Sequence, residues 1–106
     1  MPVDLYLRAG AAPFRCILGD FSELTVRLRP EGQREPMPAM APNDEVTIVI
    51  DLGSAARTYL IRAAVFRRDP QSCVLRLEQR YQDGEFAPLK LMDTLEIKAG
   101  LLNYRC

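Results

Sequence analysis

Residues 19–28, Gly19-Asp20-Phe21-Ser22-Glu23-Leu24-Thr25-Val26-Arg27-Leu28 (GDFSELTVRL), set a short acidic turn with a serine between two alternating apolar runs. Upstream, Phe14, Cys16 and Leu18 alternate with Arg15 and Ile17. Downstream, Leu24, Val26 and Leu28 alternate with Thr25, Arg27 and Arg29. A period of two is the signature of a strand with one buried face. The stretch therefore reads as two strands joined by a turn. Asp20 and Ser22 lie two apart, so in an extended segment they face the same way. Their carboxylate and hydroxyl can serve a ligand edge, or they can bond nearby backbone amides, as both residue types do in turns.

Working outward, Val3, Leu5 and Leu7 predict a first strand, broken by Gly10 to Pro13. Prolines at 30, 36, 38 and 42 exclude helix and central strand, so that segment reads as a surface loop. Val46, Ile48 and Ile50 predict a fourth strand closed by Asp51-Leu52-Gly53-Ser54, and residues 58–67 a fifth ended by Asp69-Pro70. Cys73, Leu75 and Leu77 predict a sixth, before a turn at Asp83-Gly84. From Pro88 the period changes. Pro88 suits a first helical turn, and Leu91, Leu95 and Leu102, with Met92 and Ala99, fall near one helical face. Gly100 weakens or ends such a helix, and the Leu95/Ile97 alternation keeps a strand as the alternative. The expectation is an all-β single domain spanning residues 1–106: a small six-stranded antiparallel barrel with one C-terminal helix. Leu28, Val46, Ile48, Ile50, Ile61, Val65, Leu75 and Leu77 are the expected core.

Composition narrows the function. The formal net charge is zero over 106 residues, and no block of five like charges occurs, so neither DNA nor an anionic membrane is an expected partner. Twelve of the fourteen basic residues are arginine, the side chain suited to bidentate contacts with phosphate or carboxylate. With no histidine, imidazole acid/base chemistry and Ser-His-Asp triads are excluded. Cys16, Cys73 and Cys106 form neither a metal pattern nor a disulfide framework, and read as idle thiols in a reducing cytosol. The N-terminus lacks the pattern of a signal peptide, and no apolar run approaches a membrane span, so membrane insertion is not expected. Carboxylate pairs occur at Asp44/Glu45 and Asp83/Glu85, in hydrophilic turns where solvated surface is the default reading. No nucleophile–base pair, phosphate loop or metal cluster accompanies them. The expectation is a cytoplasmic, non-enzymatic protein without metal or cofactor.

Residues 20–28, DFSELTVRL, resemble the D-x-S-x-x-G signature of the PilZ family, and the order of elements over roughly residues 12–102 is similar too. A strand opening at Asn43-Asp44-Glu45 is followed by the long strand Leu60–Arg67, then Val74–Leu77, then a terminal helix. The resemblance implies a bacterial regulatory domain that binds the second messenger cyclic di-GMP. It implies that Asp20 and Ser22 touch the dinucleotide while an upstream R-x-x-x-R pair grips its guanines and phosphates. Two departures stand out. Thr25 occupies the signature's glycine position, and only Arg8 and Arg15 precede the motif, seven residues apart. An R-x-x-x-R at Arg76 and Arg80 lies after the motif and reads as coincidence. A hydrogen bond to a charged group contributes about 1.5–3 kcal/mol. Lacking two such contacts removes roughly two to four decades of affinity. The implied function is thus a regulatory or interaction domain of a bacterial signalling, motility or secretion system, with weak or no binding of the dinucleotide. The alternative is a receptor with a rebuilt arginine site. Candidate ligand-binding residues are Arg15, Asp20, Ser22, Thr25 and Arg27.

Overall fold

The computed structural model describes residues 1–8, 10–32, 35–51 and 58–105, with backbone alone for 103–105. Seven strands precede one helix: β1 (Pro2–Tyr6), β2 (Phe14–Ser22), β3 (Thr25–Pro30), β4 (Glu45–Asp51), β5 (Thr58–Asp69), β6 (Ser72–Gln82), β7 (Glu85–Pro88) and α1 (Leu91–Arg105). They hydrogen-bond in the order β3-β2-β1-β4-β5-β6-β7, every pair antiparallel. A further β3–β6 pairing closes the first six into the expected barrel, leaving β7 as an extra strand. β6 is long enough to serve two neighbours along one edge. Cys73–Arg76 pairs with β3, and Gln79–Gln82 pairs with β7. Closure removes the exposed sheet edges that β3 and β6 would otherwise present.

All eight expected core residues face the barrel interior, none more than 2% exposed. Leu5, Cys16, Leu18, Val26 and Cys73 complete the packing from neighbouring strands. The proline-rich segment contributes as well. Met37 is 1% exposed, and Arg68 holds its chain by donating from Nε to the Pro38 carbonyl (3.1 Å) and from Nη2 to the Met37 carbonyl (2.5 Å).

The structure corrects four details. Leu24 sits in the β2–β3 turn rather than on the inner face of β3, and is 43% exposed. Leu7 lies beyond β1 and is exposed. Pro88 ends the short strand β7 instead of opening the helix; that four-residue strand follows an Asp83-Gly84 turn with φ of 54° and 88°, the positive pair a two-residue hairpin requires. Fourth, α1 is rotated relative to its leucine stripe. Asp93, Ile97 and Leu101 face the barrel, four residues apart, while Leu91, Met92, Leu95 and Leu102 face out. The helix runs through Gly100. The expected turn at Leu52-Gly53-Ser54 and Cys106 lie outside the described residues.

Polar anchors decide that rotation. The Asp93 carboxylate accepts from the Lys90 backbone N–H at 3.0 Å, capping the first turn. It also pairs with Arg80 of β6 at 2.5 Å. One turn on, Glu96 accepts a short hydrogen bond from the Tyr59 hydroxyl. Both carboxylates of the helix are thereby turned toward the barrel, and the burial of Ile97 and Leu101 follows.

Candidate functional site

Leu18, Asp20 and Ser22 share the same parity, so an unbroken strand would send all three inward. The register of β2 against β3 slips between Leu18 and Asp20. Leu18 faces Leu28, and the next pairs are Asp20↔Arg27, Phe21↔Val26 and Ser22↔Thr25. The extra residue, Gly19, re-phases the strand, and Asp20 and Ser22 emerge exposed on the outer surface. A second bulge does the same on β5. Val65 opposes Leu75, Phe66 is the inserted residue, and Arg67 opposes Val74. Arg67 shares parity with buried Val65, yet the slip turns it outward, and Phe66 is left 61% exposed.

The two bulges meet across the sheet. Val74 of β6 is opposed by Arg27 of β3 on one side and by Arg67 of β5 on the other. With Asp20 opposite Arg27, the row reads Asp20–Arg27–Val74–Arg67 across four strands. Two strand spacings separate the arginine backbones, roughly 10 Å. Asp20, Ser22, Thr25, Arg27, Arg67 and Val74 line a shallow cleft of ≈ 230 Å³. A neighbouring cleft of ≈ 320 Å³ shares Arg27, Arg67 and Val74 and adds Arg68, Asp69 and Ser72. Among the described residues, neither Arg27 nor Arg67 has a salt bridge. Asp69 closes the far end, its pKa lowered by hydrogen bonds from the Gln71 and Ser72 backbone, with Arg27 adding a smaller share. Two guanidiniums flanking a small apolar floor, with hydroxyls alongside, make a surface that accepts an anion in two-point contact.

Four of the five sequence candidates, Asp20, Ser22, Thr25 and Arg27, therefore line one cleft. Arg15 does not. It lies toward the opposite end of β2, where it pairs with Asp4 at 2.9 Å and Glu31 at 3.4 Å, and the hydrogen bond to Asp4 raises its pKa. Thr25 needs no glycine. The positive φ of the turn falls on Glu23, at 55°, and Thr25 is an ordinary strand residue whose hydroxyl donates to the Ser22 carbonyl at 2.8 Å. The Arg76/Arg80 pair is committed elsewhere, Arg76 to Glu78 and Arg80 to Asp93. Nothing in the sequence joins Arg67, Val74 and Ser72 to the turn. Their parity and their separation of some 40–50 residues from the turn carried no signal.

No family model, curated protein or solved structure matches this chain.

Proposed function

We propose that this domain is a non-catalytic regulatory module of PilZ type in bacterial cyclic di-GMP signalling. It acts through a protein partner and retains at most weak affinity for the dinucleotide. The observation that supports the reading is the outward row Asp20–Arg27–Val74–Arg67 beside Ser22. The bulge-built ledge offers one guanidinium pair to one phosphate. A cyclic dinucleotide brings two phosphates and two guanines. Asp20 and Asp69 at the two ends of the surface oppose a second anion, and Arg15 is spent on Asp4 and Glu31.

The convergence of Arg27 and Arg67 also favours a second reading, a receptor in which these two replace the upstream pair. Calorimetric titration with cyclic di-GMP at moderate salt separates them. The regulatory reading expects a dissociation constant on the order of 10 µM or weaker. It expects Arg27→Ala and Arg67→Ala to weaken that binding further and Arg15→Ala to leave it unchanged. Submicromolar binding abolished by either cleft variant establishes the receptor. Binding lost in Arg15→Ala alone overturns the placement of the site.

A further inference from the structure

Half of the large hydrophobic side chains exposed among the described residues lie on one helix. Leu91, Met92, Leu95 and Leu102 of α1 are 75%, 65%, 51% and 56% exposed. At about 100° per residue, Leu91, Leu102 and Leu95 fall within roughly 40° of one another, and Ala99 and Met92 extend the stripe on one side to roughly 100°. The opposite face is already engaged by Asp93, Ile97 and Leu101. A helix apolar on both sides is a helix built to be covered on both sides.

The charges say what covers it. The two carboxylates of α1, Asp93 and Glu96, are drawn to Arg80 and Tyr59 on the barrel side. The chain's only two lysines, Lys90 and Lys98, are both exposed; Lys90 precedes the first turn and Lys98 borders the apolar stripe on its Leu91 side. The outward face therefore combines leucine and methionine with one exposed lysine at its edge, while Glu96, half-buried at the other edge, is engaged by Tyr59. A second copy is a poor occupant, since pairing two such faces brings two Lys98 ammoniums together over an apolar strip. A vesicle surface fits less well than a protein, because two lysines and no aromatic ring on the stripe give little anchoring.

We infer that the Leu91/Leu95/Leu102 face of α1 docks an amphipathic helix of a partner protein, whose apolar stripe is flanked by glutamate or aspartate. The inference rests on the protein-partner part of the proposed function and is independent of dinucleotide binding. Methionine and leucine adapt to such a helix, and Lys98 selects its flanking charge.

The test uses the full chain and a fluorescein-labelled helical peptide of about 18 residues, leucine at i, i+3, i+4 and i+7 spacing and glutamate on the flanks. A second peptide carries lysine in place of glutamate. By anisotropy the glutamate peptide binds at roughly 10–100 µM and at least about tenfold more tightly than the lysine peptide. Leu95→Glu removes binding. Lys98→Glu reverses the preference between peptides, a change that simple loss of folding does not produce. Both substitutions are at exposed positions, and an unchanged circular dichroism spectrum confirms each fold. Equal binding of the two peptides, or none at millimolar peptide, overturns the proposal. So does a micromolar dimer dissolved by Leu95→Glu in light scattering, or co-sedimentation with anionic phosphatidylglycerol vesicles abolished by the same variant.

Discussion

Replacing Asp93 by alanine tests the account of how α1 is held. The side chain of Asp93 is 9% exposed and that of Arg80 is 26% exposed. Their 2.5 Å ion pair is augmented by Arg80 lying 4.1 Å above the Tyr59 ring. The Arg80 Nε is buried without a hydrogen-bond partner, so Asp93 is the only counter-charge in contact with that guanidinium among the described residues. Losing a charge-assisted hydrogen bond costs about 1.5–3 kcal/mol. Losing the first-turn carboxylate that caps Lys90 and faces the positive end of the helix costs about 0.5–1 kcal/mol more. Asp93→Ala should therefore destabilise by roughly 2–4 kcal/mol, a large share of the 5–15 kcal/mol typical of a domain. Urea denaturation followed by circular dichroism measures it. Asp93→Asn, which keeps an acceptor for the Lys90 N–H, should fall between wild type and Asp93→Ala. The double variant Arg80→Leu/Asp93→Leu should recover more than half the loss, because no unpaired charge is left buried. A cost below about 0.5 kcal/mol for Asp93→Ala would falsify the anchoring role, since so small an effect is typical of a surface position.

Two further predictions concern pH and strain. Burial pushes the Cys16 and Cys73 thiols up to about 12, and burial followed by the hydrogen bond to Glu96 pushes the Tyr59 hydroxyl up to about 12. Each raised value means that the folded state keeps protons the unfolded chain gives up. Stability from these groups is complete below about pH 9 and is lost as pH climbs toward 12. At pH 10 each thiol should cost about 1.5–2 kcal/mol relative to pH 8. Urea midpoints across that range, compared with those of Cys16→Val, read the slope, and a flat profile refutes the burial argument. Glu23 carries the turn's positive φ of 55° at a side-chain-bearing position. Glu23→Gly should stabilise by about 0.5–1 kcal/mol in thermal unfolding, and a lowered midpoint shows instead that the glutamate makes a compensating contact.

The alternation of apolar residues was enough to place six strands and their inward faces. Leu28, Val46, Ile48, Ile50, Ile61, Val65, Leu75 and Leu77 are all buried. Parity is a local property: a side chain two residues on faces the same way, whatever the strand pairs with. The Asp83-Gly84 turn was legible for a similar reason, since Gly accepts positive φ without steric cost and Asp tolerates it. Strand β7 was not, because four residues hold too little alternation to separate them from a loop or a helix start.

What the tertiary structure alone decided are the events that break parity or join distant segments. The bulges at Gly19 and Phe66 turn Asp20, Ser22 and Arg67 from the inner phase to the outer. The β3–β6 pairing then sets Arg27 beside Val74, though the two lie 47 residues apart in the chain. Arg15, only five residues from Asp20, is carried the other way along β2 to Asp4 and Glu31. On α1 the leucine stripe points to one face as the buried one, yet the Asp93–Arg80 and Glu96–Tyr59 contacts bury another. Hydrophobic burial is non-directional and either apolar face could satisfy it. A buried carboxylate and a half-buried one, each with a partner at a defined position, have one orientation that satisfies both, and only the folded barrel supplies those positions.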